Sequence, residues 1–231
     1  MPVTDDGTPY IAVFRASDLT YVTRQYILNN GSARQNNGAY EPTTYFHPYR
    51  TIPWCAVNPC NGKLYTTDKE KSGSCVSKDL FVYDIDLDKI RQGSQEFLHF
   101  HCTNRMYDER CRRLTLIHMQ GGCFDNQNHL HVNNGFWKKK EANSKGGISV
   151  FSVPVATAEG GIYGIRRIIK SNQSRGFRYQ FNSYGEEPEG LTYWDLNDGR
   201  APGIKGVLHA IMLDNAGTGA DDFYFKHYDR I

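Results

Sequence analysis

Two pairs of alternating histidines, His99/His101 and His129/His131, are the residues of this 231-residue chain best spaced to hold a transition metal. On a strand, residues i and i+2 share a face, so each pair offers two imidazoles to one side. A closed site needs further ligands, and no Cys-x-x-Cys pair supplies them. Histidines hydrogen-bonded between packed sheets are the commoner use of the pattern. His118 and Gln120 form a second candidate. They directly precede the short strand Gly121 to Phe124, at the start of a repeat unit, and are expected at a channel mouth in contact with ligand. Trp137 is the third, in the loop Gly135-Phe136-Trp137-Lys138-Lys139-Lys140. An aromatic pair beside cations can stack on a sugar ring or grip an anionic partner, although packing against its own loop would also satisfy it.

Other chemistry is disfavoured. The stretch Asp214 to Asp222 is acidic, but Ala216 occupies the third position of a calcium loop and no Glu closes it. It reads as a Gly-rich connection. No Gly-x-Ser-x-Gly elbow, phosphate-binding loop ending in Lys, or dinucleotide fingerprint is present, which argues against serine hydrolase, P-loop nucleotidase and dehydrogenase. Lys138 to Lys140 is a loop tip with no nucleic-acid-binding motif beside it.

The six cysteines permit three disulfides at a density too low for a disulfide-built scaffold. Cys102 and Cys111 bracket a polar stretch and are the pair expected to bridge. With the sequons at Asn30 and Asn172, these thiols lean towards an extracellular location, although Met1 to Pro9 lacks the pattern of a secretory signal. No apolar run reaches the ~18–20 residues that span a bilayer as a helix. Net charge is +2, yet residues 101–182 carry 13 basic against 5 acidic side chains and residues 183–231 carry 4 against 9. Such asymmetry steers charged ligands or simply solvates two faces differently.

The elements that must position these residues recur. Ile11 to Phe14, Leu80 to Tyr83, Ile148 to Phe151 and Phe223 to Phe225 are short apolar strands at a spacing of ~70 residues, the sign of units that bury their faces against neighbours. Residues 53–102 read as four antiparallel strands around the turn Asn58-Pro59-Cys60-Asn61-Gly62, and residues 117–170 repeat the plan. A partial unit occupies 1–28, a long Asn- and Gly-rich loop 29–52, and another partial unit 186–231. The expected fold is therefore all-β, a β-propeller-like array of four-stranded blades within one domain. Only about three and a quarter units are visible against the usual ~4–8. Either upstream blades are missing or residues 29–52 hold an irregular one. An incomplete ring would leave Tyr10 to Phe14 as an open sheet edge, so self-association is expected.

Trp54 to Tyr65, the strand Leu80 to Asp84 and Glu189-Gly190-Leu191 resemble the propeller superfamily of YncE-like and gluconolactonase-like proteins. The resemblance covers residues 54–231 as a repeat pattern. In the gluconolactonase-like enzymes an acidic residue before Gly-Leu holds a divalent cation in the channel, which implies a metal role for Glu189, with Glu187 and Glu186 beside it, and calcium as the cofactor. Three functions remain open. The first is a binding module for a glycan, small molecule or protein; the second is a metal-dependent lactonase or phosphoesterase; the third is a scaffold within a larger protein.

Overall fold

The computed structural model describes residues 2–5, 8–27, 50–67, 69–70, 76–77, 79–134, 147–170, 186–214 and 222–228. Trp137, Cys75, both sequons and the Gly-rich stretch 215–221 lie outside the described residues, as does the side chain of Glu187. The architecture is all-β. A first three-stranded sheet comprises β1 (Pro2–Asp5), β2 (Thr8–Phe14) and β3 (Tyr21–Tyr26). After β4 (Arg50–Thr51) come β5 (Cys55–Val57) and β6 (Leu64–Thr67), then the short β7 (Lys69–Glu70) and β8 (Val76–Ser77). The chain continues through β9 (Asp79–Ile85), a one-turn helix α1 (Leu87–Arg91) and β10 (Leu98–Tyr107). β11 (Leu116–Ile117) leads into β12 (Met119–Phe124), β13 (His129–Asn134), β14 (Gly147–Ser152) and β15 (Ile162–Lys170). The last sheet is β16 (Glu186–Tyr193), β17 (Leu208–Asp214) and β18 (Asp222–Tyr228).

Both expected four-strand meanders are present, β5-β6-β9-β10 and β12-β13-β14-β15. They do not stand apart. Their fourth strands pair in parallel, Thr103 with Ile162 through Tyr107 with Arg166, giving one eight-stranded sheet. That sheet rolls until its end strands β5 and β12 pack side by side, a nearly closed barrel-like form. Gly122 is required at the closure, because a Cβ there would lie 2.6 Å from the Trp54 ring. The turns meet as well: Asn58 Nδ2 donates to Asn128 Oδ1 at 2.6 Å.

Alternation along the strands explains the packing. On β9, Leu80 and Val82 point into the roll with Tyr65, Met106, Phe124, Leu130, Val132, Phe151 and Ile165. Phe81 and Tyr83 point the other way, onto Ile11, Ile27, Leu64, Phe97 and Leu98 beneath the first sheet. A strand covered on both faces has to be apolar at every position, and Leu80 to Tyr83 is. A third cluster, Cys123, Ile148, Leu208, Ala210 and Met212, joins the second meander to β16-β17-β18. Every successive unit is thus packed on the previous one.

Two expectations require correction. Tyr10 to Phe14 is no open edge: β2 is the central strand of its sheet, paired with β1 on one side and β3 on the other. Nor does Cys102 bridge Cys111. Cys102 is buried within β10 and Cys111 is exposed in the turn beyond it, both as free thiols. The polar stretch between them is strand as far as Tyr107, and five residues at ~3.3 Å each carry the turn far out of disulfide reach.

Candidate functional site

The second meander and the last sheet face one another across β12, β13 and β16, and here the polar side chains converge. Both first strands are bulged at the same place. On β12 the register to β13 shifts between Met119 and Gly121, leaving Gln120 as the extra residue. On β16 the register to β17 shifts between Pro188 and Gly190, leaving Glu189 extra. A bulge twists its strand and re-aims one side chain, and such sites cluster near function. The two re-aimed side chains meet, with Gln120 Nε2 donating to Glu189 Oε1 at 2.9 Å and to the Pro188 carbonyl at 3.4 Å. Asn133 Nδ2 ties the same strand by donating to the Gly190 carbonyl at 3.1 Å. The approach needs glycine at 121, where a Cβ would lie 2.8 Å from the Leu191 nitrogen.

Gln120 and Glu189 are half-buried, so the pair is reachable from solvent. His118 is half-buried too. It occupies the corner between β11 and β12, with a left-handed φ of 47°, because the chain there leaves the β8 pairing for the β13 pairing. Of the residues singled out from sequence, Gln120 and Glu189 are brought into contact and His118 lies two positions away.

Further along the same interface is a cluster that alternation alone foreshadowed. Asp125 Oδ2 is 3.0 Å from His129 Nδ1 and 3.3 Å from His131 Nε2, so the two histidines share one carboxylate oxygen. Its other oxygen accepts the backbone N–H groups of Gln127 and His129. Burial works against the Asp125 charge, but hydrogen bonds from His131 and from the His129 and Gln127 backbones outweigh it and hold the carboxyl well below the ordinary range. His131 is fully buried and stacks on Tyr193, with ring centroids 6.2 Å apart. Burial pushes the neighbouring Cys123 thiol far up, so it is a packing group and no nucleophile.

The turn that places Asp125 is itself repeated. Asn58, Asp125 and Asp195 each use Oδ1 to accept the backbone N–H two residues on, at 2.9, 2.8 and 3.0 Å. They end the first strands of three successive units, 67 and 70 residues apart.

Elsewhere, His101 is the bulged residue of β10. Its Nδ1 contacts Asp84 Oδ2 at 2.9 Å and its Nε2 contacts Thr157 Oγ1 at 2.9 Å, while Lys63 is ion-paired with Asp84. Burial raises the Asp84 carboxyl, but Lys63 and His101 more than offset it and the net shift is downward. The network pins the loop before β15 onto the first meander. His99 is exposed and helps line a cavity of about 420 Å³ with Gln25, Tyr26, Tyr83, Leu98 and Phe100. Among the described residues, no group of three or more His, Cys, Asp or Glu is arranged to hold a metal ion, and no helix is long and apolar enough to cross a membrane.

Comparison with known protein families, with curated proteins and with solved structures returns no match. The geometry stands on its own.

Proposed function

We propose that this chain is a ligand- or partner-binding module, a propeller-like array of stacked units whose recognition end is formed by the bulged strands β12 and β16. The observation that carries this reading is the hydrogen bond between Gln120 and Glu189, two bulged residues 69 positions apart in successive units. Two independent one-residue insertions that aim side chains at each other make a built polar site. A carboxylate acceptor and an amide donor on rigid strands suit a ligand rich in hydroxyl or amine donors, a glycan being the simplest. The resemblance to gluconolactonase-like propellers supports the same end of the molecule, since Glu189 is the residue it implicates. Under the second reading, a metal-dependent hydrolase, Glu189 would be a calcium ligand.

One pair of measurements separates the readings. Labelled protein on a saccharide array is expected to retain a defined set of glycans, and Glu189→Gln to lose them with little change in melting temperature. Retention by the variant equal to that of wild type would remove the site from the proposal. Calcium at millimolar concentration should leave the wild-type melting temperature unmoved. A rise of several degrees, abolished by Glu189→Gln, would favour the hydrolase instead.

A further inference from the structure

On the last sheet, away from Gln120 and Glu189, two imidazoles face each other directly. His209 and His227 are cross-strand partners on β17 and β18, and their Nδ1 atoms are 2.6 Å apart. His209 is buried, and its Nε2 lies 2.7 Å from the Trp194 carbonyl oxygen. That contact requires an N–H at Nε2, which leaves the His209 Nδ1 lone pair aimed at His227. His227, on the exposed side, then donates its Nδ1 proton to close the pair. Metal-binding histidines are characteristically oriented in this way, the second ring nitrogen held by a backbone carbonyl.

We propose that His209 and His227 form a two-histidine site for a borderline-soft divalent cation, Cu(II) above Zn(II) in affinity, with water completing the coordination. The step balances without any redox partner. The cation takes the place of the hydrogen between the two Nδ1 atoms, and the His227 proton moves to that ring's own Nε2. Two nitrogens each ~2.0–2.1 Å from one zinc are roughly 3.3 Å apart in a tetrahedral site. The present 2.6 Å separation therefore has to open by about 0.7 Å, which a rotation of the exposed His227 ring supplies. Imidazole is the ligand that copper and zinc share. The surrounding segment, residues 183–231, carries 9 acidic against 4 basic side chains and attracts cations.

The test is a titration of the full chain with Cu(II) alone, followed by calorimetry and electron paramagnetic resonance, with Zn(II) as competitor. One saturable equivalent is expected, showing hyperfine coupling to two nitrogens and displaced by excess Zn(II). His227→Ala, on an edge strand of its sheet, should bind at least about tenfold more weakly, ~1.4 kcal/mol. His227→Gln, which keeps a polar side chain, serves if the alanine variant is poorly folded. His99→Ala removes an exposed histidine elsewhere and should change nothing. Unaltered binding in His227→Ala, a one-nitrogen spectrum, no saturable equivalent, or loss of binding in His129→Ala instead would each overturn the assignment.

Discussion

The second meander is packed on both faces, and along its strand β13 the two faces are built from different materials. Towards the first meander it presents Leu130, Val132, Phe151 and Ile165, closing an apolar core with Leu80 and Val82. Towards the last sheet the intervening positions of the same strand, β13, are His131 and Asn133, buried and bonded to Asp125 and to the Gly190 carbonyl. One strand thus seals a core with one face and arranges polar groups with the other. Apolar burial is non-directional and forgiving, whereas buried polar groups demand specific partners and fix a single geometry. Along β13 the first face supplies stability and the second supplies position, while the apolar cluster of Cys123, Ile148, Leu208, Ala210 and Met212 helps to hold the last sheet in place.

Breaking the apolar side should cost most. Phe151→Ala removes a fully buried ring from the centre of the roll and is expected to lose ~3–5 kcal/mol, read as a shift of the denaturation midpoint at constant slope. A loss under ~1 kcal/mol would mean that the sheet does not close round this ring.

Breaking the polar side should cost less and carry a pH signature. Asp125→Asn keeps the shape but removes the charge that two imidazoles and two backbone N–H groups support, at ~1–3 kcal/mol. A carboxyl depressed in the folded state stabilises above its unfolded pKa, and that stability fades as pH falls through ~4 towards the lower folded value. Wild-type melting temperature should therefore drop more steeply than that of Asp125→Asn below pH ~4. Parallel curves would show that Asp125 carries none of the acid sensitivity.

The smallest effect sharpens the contrast. Gln120→Ala removes the half-exposed side chain that donates to Glu189 and to the Pro188 carbonyl, and should change stability by ~0.5–1.5 kcal/mol, within what such a bond contributes. Its consequence is expected in ligand retention, where loss comparable to that of Glu189→Gln would show the pair acting together. A stability loss as large as that of Phe151→Ala would make Gln120 a structural strut.

How much of this was legible depended on whether the signal was local. The meanders were readable because Leu80 to Tyr83 is apolar at every position and Ile148 to Phe151 at all but Ser149, close to what a strand buried on both faces requires. The turn at Asn58 was readable because it lies in Asn58-Pro59-Cys60-Asn61-Gly62, and Asp125 opens a similarly Asn-rich corner, Asp125-Asn126-Gln127-Asn128. Gln120 and Glu189 each carried a faint signal, a polar residue directly before a glycine at a unit's start, but a one-residue bulge leaves no periodic trace. Helix α1 went unread although Asp86 caps it, its side chain accepting from the backbone N–H groups of Asp88 and Lys89. Five residues are too few for a helical period. The shared role of His129 and His131 followed from alternation, whereas the His209–His227 pair needed the β17–β18 register, which no local pattern encodes. The parallel pairing of β10 with β15 was invisible for the same reason.

That parallel pairing changes how the molecule should come apart. In a simple stack of repeats each unit unravels against its neighbour, and loss can spread one repeat at a time. Here Met106 pairs with Ile165 across 59 residues of chain, so the last strand of one repeat is welded to the last strand of the next. Each meander can assemble early from near neighbours, but the weld forms only once both exist, and closing so long a stretch of chain makes it a late and slow event. Once made, it leaves neither meander free to open alone. Amide protons on β6 and on β13, in different repeats, should then exchange with solvent through one shared global opening.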